Sequence, residues 1–191
     1  MAAAVQTVSL VPHPAAPAGP ARHVGARVAR MGRLLAVTFA LEGDLARLRI
    51  PEPRPRCVAD RLWQHTCFEV FLTRPPLTGY YEFNLAPSGE WAVYAFARYR
   101  ERASLPEGVS AQMLEPHIGT RRQPERLELD ALIPLDRLAP ELATARLALG
   151  LSAVVEAQDG ARSYWALRHA TAKPDFHHAD GFAVTLDEVR T

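Results

Sequence analysis

The sequence predicts a nearly all-β fold, a two-sheet antiparallel β-sandwich of jelly-roll-like type with at most one short helix. Apolar and polar residues alternate over short segments along most of the chain, and turns containing glycine or proline separate these segments. About ten such segments are typical of a sandwich or barrel. The 191 residues fit a single domain, 1–191, in which residues 1–23 are expected to form an extended N-terminal arm.

The first strands form a predicted hairpin. Residues 24–30 and 34–41 alternate on either side of a turn centred on Gly32, and residues 45–50 are expected to form the next strand. Prolines in 51–56 exclude a central strand and predict a loop. Further strands are predicted near 112–119, 126–133, 147–157, 163–167 and 182–186. Residues 135–145 favour a helix, which Pro140 keeps short.

The middle of the chain has the clearest alternation, in predicted strands 67–72 and 80–85, followed by a third strand over 90–98. One face of the first two strands is apolar and consists of Phe68, Val70, Leu72, Tyr81, Phe83 and Leu85. The opposite face carries the polar side chains and consists of Cys67, Glu69, Phe71, Tyr80, Glu82 and Asn84.

Charge and hydropathy exclude several classes of partner. The net charge is +1, and no run of like charges offers an electrostatic surface to nucleic acid or to an anionic membrane. No segment approaches the roughly 18 consecutive apolar residues of a transmembrane helix. The N-terminus lacks a basic region before its apolar stretch, so a cytoplasmic location is expected. In that reducing compartment, Cys57 and Cys67 are expected to stay free thiols.

The polar face of the central strands is the first candidate site. Glu69, Glu82 and Asn84 together offer acceptors and a donor to a polyhydroxylated ligand. The alternative is an outward sheet face that is polar because water covers it. A further hypothesis makes the two glutamates the acid/base pair of a glycoside hydrolase, since opposed strand residues suit a carboxylate spacing of roughly 5 Å. Established catalytic motifs are absent, which favours a binding module over an enzyme.

Aromatic side chains supply the second set of candidates. Trp63, Trp91 and Trp165 could stack on the flat C–H faces of a sugar, although a buried core position is the alternative for each. Trp63 and Trp165 flank polar loops, which favours them as ligand contacts.

A polar loop near the C-terminus supplies the third set. In a chain that otherwise uses arginine, Lys173 is the only lysine, so a specific contact at the rim of the site is expected. In the same loop, Asp175 and His177 are expected to converge more readily than His177 and His178, because adjacent residues of an extended segment point to opposite sides. They are predicted to bind the ligand, and no metal is expected.

Three segments resemble a known family: LWQHTCFEVFL at 62–72, YYEFNLAPSGEW at 80–91, and YWALRH at 164–169 with KPDFH at 173–177. They are similar to bacterial DOMON-like proteins, which are related to family-nine carbohydrate-binding modules. The resemblance extends from about residue 10 to residue 186. It implies a β-sandwich whose concave sheet holds a small-molecule ligand.

The resemblance implies a saccharide or related small polar metabolite as the ligand, with a haem-binding redox module as the alternative. Haem-binding relatives use a methionine and a histidine as axial ligands. Apart from Met1, the chain contains only Met31 and Met113, and both lie outside the matched segments. No cofactor is therefore expected, and the sequence predicts no particular protein partner.

Overall fold

The computed structural model describes residues 4–16 and 19–189, which form two antiparallel sheets packed face to face. In chain order the strands are β1 (Gln6–Pro12), β2 (Ala21–Met31), β3 (Leu34–Gly43), β4 (Cys67–Thr73), β5 (Tyr80–Leu85), β6 (Trp91–Arg98), β7 (Glu101–Ala103), β8 (His117–Gln123), β9 (Arg126–Pro134), β10 (Leu147–Glu156), β11 (Arg162–Ala166) and β12 (Val184–Leu186). The α-helix α1 (Leu135–Leu138) is a single turn, followed by a 3-10 turn at Pro140–Ala143. Within the described residues, no helix has the length and hydropathy needed to cross a bilayer.

Strand β1 belongs to both sheets. Sheet A has the order β1-β2-β3-β9-β8, and sheet B has the order β7-β6-β5-β4-β10-β11-β1, with β12 paired to the start of β10. Residues 6–10 of β1 pair with β2, whereas Val11 and Pro12 pair with β11. Every strand-to-strand ladder is antiparallel. The predicted all-β fold with one short helix is therefore confirmed.

The core lies between the two sheets and takes alternate side chains from each. Phe39 of β3 stacks on Phe68 of β4, with ring centroids 4.9 Å apart. Burial of one such aromatic side chain stabilises the fold by roughly 1.5–3 kcal/mol. The predicted apolar face of β4 and β5 contacts this core throughout, which confirms the alternation found in the sequence.

The N-terminal arm predicted over residues 1–23 needs correction. Residues Gln6–Pro12 form β1. Its side chains alternate between partly buried and exposed, and Leu10 is buried in the core. The arm is thus part of the sandwich, because Val8 and Leu10 give it one apolar face. Pro12, at the end of the strand, concealed this pattern. Residues 1–3, 17 and 18 of the predicted arm lie outside the described residues.

The strand predicted at 45–50 is wrong. A 3-10 helix, Leu45–Arg47, occupies its first half and places Leu45 and Leu48 in the core. Apolar residues three positions apart suit a 3-10 turn, whose side chains at i and i+3 align. The sequence pattern therefore allowed both structures, and the Leu48 amide bonds to the Leu45 carbonyl at 3.2 Å.

Two later predictions also change. Residues Ala111–Leu114 form a 3-10 turn, and the strand expected at 112–119 begins only at His117 and continues to Gln123. The predicted strand at 182–186 shortens to Val184–Leu186. Strand β7 was not predicted, because all three of its residues are exposed and no apolar alternation marks it.

Residues 167–183, which we call the covering loop, fold back over the outer face of sheet B. Phe176 and Phe182 pack against a small second cluster of Phe71, Tyr80 and Phe96. The loop approaches so closely that a Cβ at Gly150 would lie 3.3 Å from the Gly181 carbonyl oxygen. The outer face is therefore buried, and the alternative of a polar face covered only by water is wrong.

Candidate functional site

A cleft of about 370 Å³ lies between the outer face of sheet B and the covering loop. Strands β4 and β5 supply its floor, β11 and the 3-10 turn Leu62–Gln64 supply an aromatic side, and the β6–β7 hairpin supplies a basic rim. These elements are distant in sequence and meet only because β4 pairs with both β5 and β10.

The floor contains the two predicted carboxyls. Glu69 of β4 lies directly opposite Asn84 of β5 and Ser152 of β10. The Ser152 hydroxyl donates to Glu69 Oε2 at 3.2 Å, and the Asn84 amide donates to Glu82 Oε1 at 2.9 Å. Glu69, Glu82 and Asn84 are 3%, 5% and 0% exposed. Asn84 Oδ1 is buried and accepts no hydrogen bond from the described residues.

The two buried carboxyls differ in pKa. Burial, and then the charge of Glu82, raise the pKa of Glu69 well above its ordinary value. Burial also raises the pKa of Glu82, but the Asn84 hydrogen bond and the charges of Arg102 and Arg100 oppose this rise. Of the two carboxyls, Glu82 therefore ionises first as pH rises, and Glu69 holds its proton to the higher pH. The floor presents a donor beside an acceptor.

His177, on the covering loop, forms one wall of the cleft. The Arg100 amide donates to the Tyr80 hydroxyl at 3.1 Å, and that hydroxyl lies 2.9 Å from His177 Nδ1. We assign the hydroxyl as the donor of this second hydrogen bond, because it already accepts from Arg100. Burial, followed by the charge of Arg100, lowers the pKa of His177 to about 4. The neutral ring therefore carries its proton on Nε2, which lies 3.8 Å from Glu82 Oε2, too far for a direct hydrogen bond.

Trp63 is the most exposed aromatic side chain of the cleft, at 42%. It lies in the 3-10 turn Leu62–Gln64, which follows Arg61 in a left-handed conformation. The next residue, His65, holds this turn on sheet B because its Nδ1 donates to the buried Glu156 carboxylate at 2.7 Å. An indole held in this way leaves a flat apolar surface in the cleft.

Tyr164 and Phe176 continue the aromatic side. Tyr164 projects from β11, and its ring centroid lies 6.3 Å from that of Phe176 on the covering loop. Both rings are partly exposed. With Trp63 they line the cleft with partly exposed aromatic surface, which is the kind of surface on which ring-shaped ligands stack.

The rim is basic. Arg100, Arg102 and Arg162 all line the cleft. Arg100 pairs with Asp175 at 2.8 Å and therefore ties the β6–β7 hairpin to the covering loop. Arg102 stacks over Tyr94, with its guanidinium carbon 3.7 Å from the ring centroid.

Of the predicted ligand contacts, Trp63, Glu69, Glu82 and His177 line one cleft. Asn84 lies on the same strand face, and its amide donates a hydrogen bond to Glu82. Their common location matches the alternation of β4 and β5, whereas any contact with a ligand remains a prediction.

Trp91 and Trp165 do not line the cleft. They are 1% and 2% exposed and belong to the core between the sheets. Trp165 faces inward because it pairs with Ala153 of β10, and its indole N–H donates to Ser163 Oγ at 3.0 Å. Tyr164, one residue earlier, points to the opposite face and occupies the place that Trp165 was expected to take.

The covering loop also departs from expectation. Lys173 is exposed and does not line the cleft, so the predicted rim lysine is replaced by arginines from other elements. In the part of the chain that the structure describes, the Asp175 carboxylate forms no ion pair with the His177 ring, and Asp175 does not line the cleft. Its carboxylate accepts instead from Tyr99, Arg100 and the His177 amide, and so anchors the loop. Within the described residues, no group of three or more His, Cys, Asp and Glu side chains is arranged to hold a metal.

Six residues that line the cleft were not predicted as site residues from the sequence. They are Phe96, Arg100, Arg102, Arg162, Tyr164 and Phe176. One signal was available: Arg162 and Tyr164 are two residues apart in a predicted strand, so they share a face. Arg102 had no such signal, because all three residues of β7 are exposed and show no apolar alternation. Met31 and Met113, considered for haem, are exposed and line no part of this cleft.

The sequence matches no family model and no curated protein. Among solved structures, it is similar to a protein of Bacteroides uniformis described as a "putative carbohydrate-binding protein". That similarity has a TM-score of 0.65 and 18% identity, and covers 94% of this chain and 84% of the other.

The family-nine carbohydrate-binding module of Caldicellulosiruptor kristjanssonii gives lower scores in two complexes. The glucose complex has a TM-score of 0.49 and 8% identity, over 76% of this chain and 66% of that one. The cellotriose complex has a TM-score of 0.49 and 10% identity, over 75% and 65%. The Bacteroides uniformis likeness, at its low identity, shows that the two chains share a fold.

Proposed function

We propose that this chain is a non-catalytic saccharide-binding domain that holds one small, hydroxyl-rich ligand in the cleft on the outer face of sheet B. The observation that carries the proposal is the combination of the exposed Trp63 indole with the buried Glu69 and Glu82 carboxyls in one cleft. Saccharides have an apolar face and a ring of hydroxyls, and this cleft offers a complement to each.

The aromatic side supplies affinity. Stacking a sugar ring on Trp63 or Tyr164 removes apolar C–H surface from water without immobilising a flexible side chain. The volume of about 370 Å³ lies at the low end of the range of roughly 300–1,000 Å³ for small-molecule sites. It suits a monosaccharide or disaccharide more than a long polymer.

The floor supplies specificity. Each sugar hydroxyl donates one hydrogen bond and accepts others. Protonated Glu69 donates, Glu82 accepts, and the His177 Nε2–H donates from the wall. A ligand that lacks a hydroxyl at this depth leaves buried polar groups unpaired, which costs roughly 1–3 kcal/mol per group.

The same contacts argue against hydrolysis. A retaining or inverting glycosidase needs two carboxyls that reach opposite sides of the scissile bond. Here Ser152 holds Glu69 and Asn84 holds Glu82 on the same floor of the cleft, so the two carboxyls do not face each other across a bound sugar. The Bacteroides uniformis protein, whose description names carbohydrate binding, has the same fold and supports the same class of function.

Isothermal titration calorimetry against a panel of mono- and disaccharides tests this proposal. At least one saccharide should bind, and Trp63→Ala should weaken that binding by tenfold or more, about 1.4 kcal/mol, without lowering the melting temperature. Leu77→Ala is the matched control, because Leu77 is also an exposed apolar residue but lies outside the cleft. Binding that survives Trp63→Ala unchanged, or a panel without any binding, contradicts the proposal.

A further inference from the structure

Two polar atoms of the cleft lie close together, and neither has a hydrogen-bond partner. They are Glu82 Oε2 on β5 and His177 Nε2 on the covering loop, and they are 3.8 Å apart. Both residues line the cleft, and neither atom forms a hydrogen bond with any described residue. Asn84 Oδ1 is also unpartnered, but it is sealed from solvent, whereas Glu82 Oε2 and His177 Nε2 are not. One group of a ligand can therefore reach both atoms.

The Glu82 carboxylate is held so that one of its oxygens stays free. The Asn84 amide donates to Oε1 at 2.9 Å and fixes that side of the carboxylate. In the described parts of the chain, Glu82 forms no ion pair with an arginine, and Arg100 pairs with Asp175 instead. The charges of Arg102 and Arg100 still favour the ionised form of Glu82 by opposing the rise in its pKa. In that form Oε2 accepts a hydrogen bond and cannot donate one.

The His177 ring is a fixed donor. Its Nδ1 lies 2.9 Å from the Tyr80 hydroxyl, which accepts from the Arg100 amide and so gives its own hydrogen to Nδ1. The ring centroid is 5.2 Å from that of Phe71 and 5.0 Å from that of Phe96, and both of these rings meet the imidazole edge to face. A protonated imidazole would also carry a hydrogen on Nε2. Nε2 therefore donates in both protonation states of this ring.

The separation of 3.8 Å suits one bridging oxygen atom. An oxygen at about 2.8 Å from each atom would see the two at an angle of about 85°, so neither hydrogen bond need bend by more than about 20°. To serve both partners, the group must accept from His177 and donate to Glu82. A hydroxyl does both, whereas an ether oxygen or a carboxylate only accepts and an ammonium only donates.

We infer that one hydroxyl of the bound saccharide bridges Glu82 Oε2 and His177 Nε2, and that this pair makes the cleft specific for a free hydroxyl at that ring position. This inference rests on the proposed saccharide-binding function. A ligand that lacks the hydroxyl leaves a buried donor and a buried acceptor unpaired. A water molecule also accepts and donates, so a sugar that leaves water between the two residues would bind without using the pair.

Sugar analogues test the inference by isothermal titration calorimetry. The probes are D-glucose, D-galactose and D-mannose, together with the analogues of each in which one hydroxyl at a time is replaced by hydrogen or by fluorine. At one ring position of a sugar that binds, both replacements should weaken binding by tenfold or more. Fluorine accepts weakly and donates nothing, so it cannot satisfy the Glu82 carboxylate.

Two variants assign the sensitive hydroxyl to this pair. His177→Phe keeps an aromatic ring but removes the donor, so the cost of deleting that hydroxyl should be at least threefold smaller than in the parent. Glu82→Gln leaves its oxygen with Asn84 and presents an N–H in place of Oε2. In this variant the preference for hydroxyl over fluorine should fall at least threefold. His178→Phe is the matched control, because His178 does not line the cleft, and it should keep the losses of the parent.

The outcomes separate this inference from the proposed function. Small, similar losses at every ring position are expected if water fills the gap, and they overturn the inference while the saccharide proposal stands. A sensitive hydroxyl whose loss is undiminished in His177→Phe and Glu82→Gln is bound by another group, which also overturns the inference. Melting temperatures verify folding, and if one variant does not fold, the other makes the same comparison. If no sugar binds the parent protein, the inference and the proposed function both fall.

Discussion

The two faces of sheet B are built from the same strands yet differ in almost every physical property. The inner face of β4 and β5 buries Phe68, Val70 and Phe83 against sheet A. The outer face buries Glu69 and Glu82 beneath the covering loop, and both carboxyls have raised pKa values. Both faces are buried, so burial by itself does not distinguish a structural face from a candidate binding face.

The difference lies in what burial costs. Apolar side chains of the inner face gain roughly 25 cal/mol for each Å² removed from water. A buried carboxyl loses its hydration; the Ser152 hydrogen bond compensates in part for Glu69, and the raised pKa of Glu69 reduces the range of pH in which its charge must be buried. The inner face thus stabilises the sandwich. The outer face carries polar groups whose burial costs free energy, and hydrogen bonds to a ligand would offset that cost.

The largest expected effect is on the inner face. Phe68→Ala should lower the free energy of unfolding by about 3–5 kcal/mol, since it leaves a cavity opposite Phe39. Phe176→Ala, at a partly exposed ring of the outer face, should cost no more than about 1–2 kcal/mol. Urea denaturation at neutral pH measures both values. Equal losses would show that the outer cluster is as structural as the core.

The second-largest effect is expected in the pH dependence of the free energy of unfolding, to which the buried His177 contributes. Its pKa of about 4 lies below the ordinary value of 6.5, so the unfolded chain binds the proton first as pH falls. The stability that His177 contributes is complete above about 6.5 and is lost as pH falls toward 4, by roughly 2–3 kcal/mol.

Urea midpoints measured at pH 7.5 and pH 4.5 test this for the parent protein and for His177→Gln. The variant should lose less stability between the two pH values than the parent does. His23→Gln, at an exposed histidine of sheet A, is the control and should behave like the parent. An unchanged pH dependence in His177→Gln would contradict a buried, neutral His177.

A smaller effect of opposite sign is expected for Glu69. Its pKa is raised in the folded protein, so the stability that it contributes is complete below the ordinary value of 4.5 and is lost as pH rises. Glu69→Gln cannot ionise and should therefore gain stability relative to the parent as pH rises, on top of a constant cost for its extra amide N–H. Thermal melts from pH 5 to pH 8 measure the difference. A parent and variant that stay parallel would show that Glu69 ionises normally.

The smallest effect is expected at Lys173. The sequence predicted a rim contact there, but the side chain is exposed and outside the cleft. Lys173→Ala should change the free energy of unfolding by no more than about 0.5 kcal/mol and should leave ligand affinity unchanged. A tenfold loss of affinity in calorimetry would restore the lysine to the site.

Predictions from strand alternation were right about which residues share a face, but they could not decide which face meets the other sheet. Glu69, Glu82 and Asn84 could be assigned to one face because a strand alternates with a period of two residues, whatever its neighbours are. The choice between Trp165 and Tyr164 could not be made in this way. It depends on which face of β11 meets sheet A, and that is decided by the pairing of β11 with β10.

The sequence by itself determined the all-β class, the hairpin of β2 and β3, and the two faces of the central strands, because alternation and turn residues are local properties. Tertiary structure decided that β1 joins both sheets, that the covering loop buries the polar face, and that arginines rather than Lys173 line the rim. These features depend on contacts between segments far apart in the chain. Local patterns cannot specify such contacts, since the same alternating segment can pair with many partners.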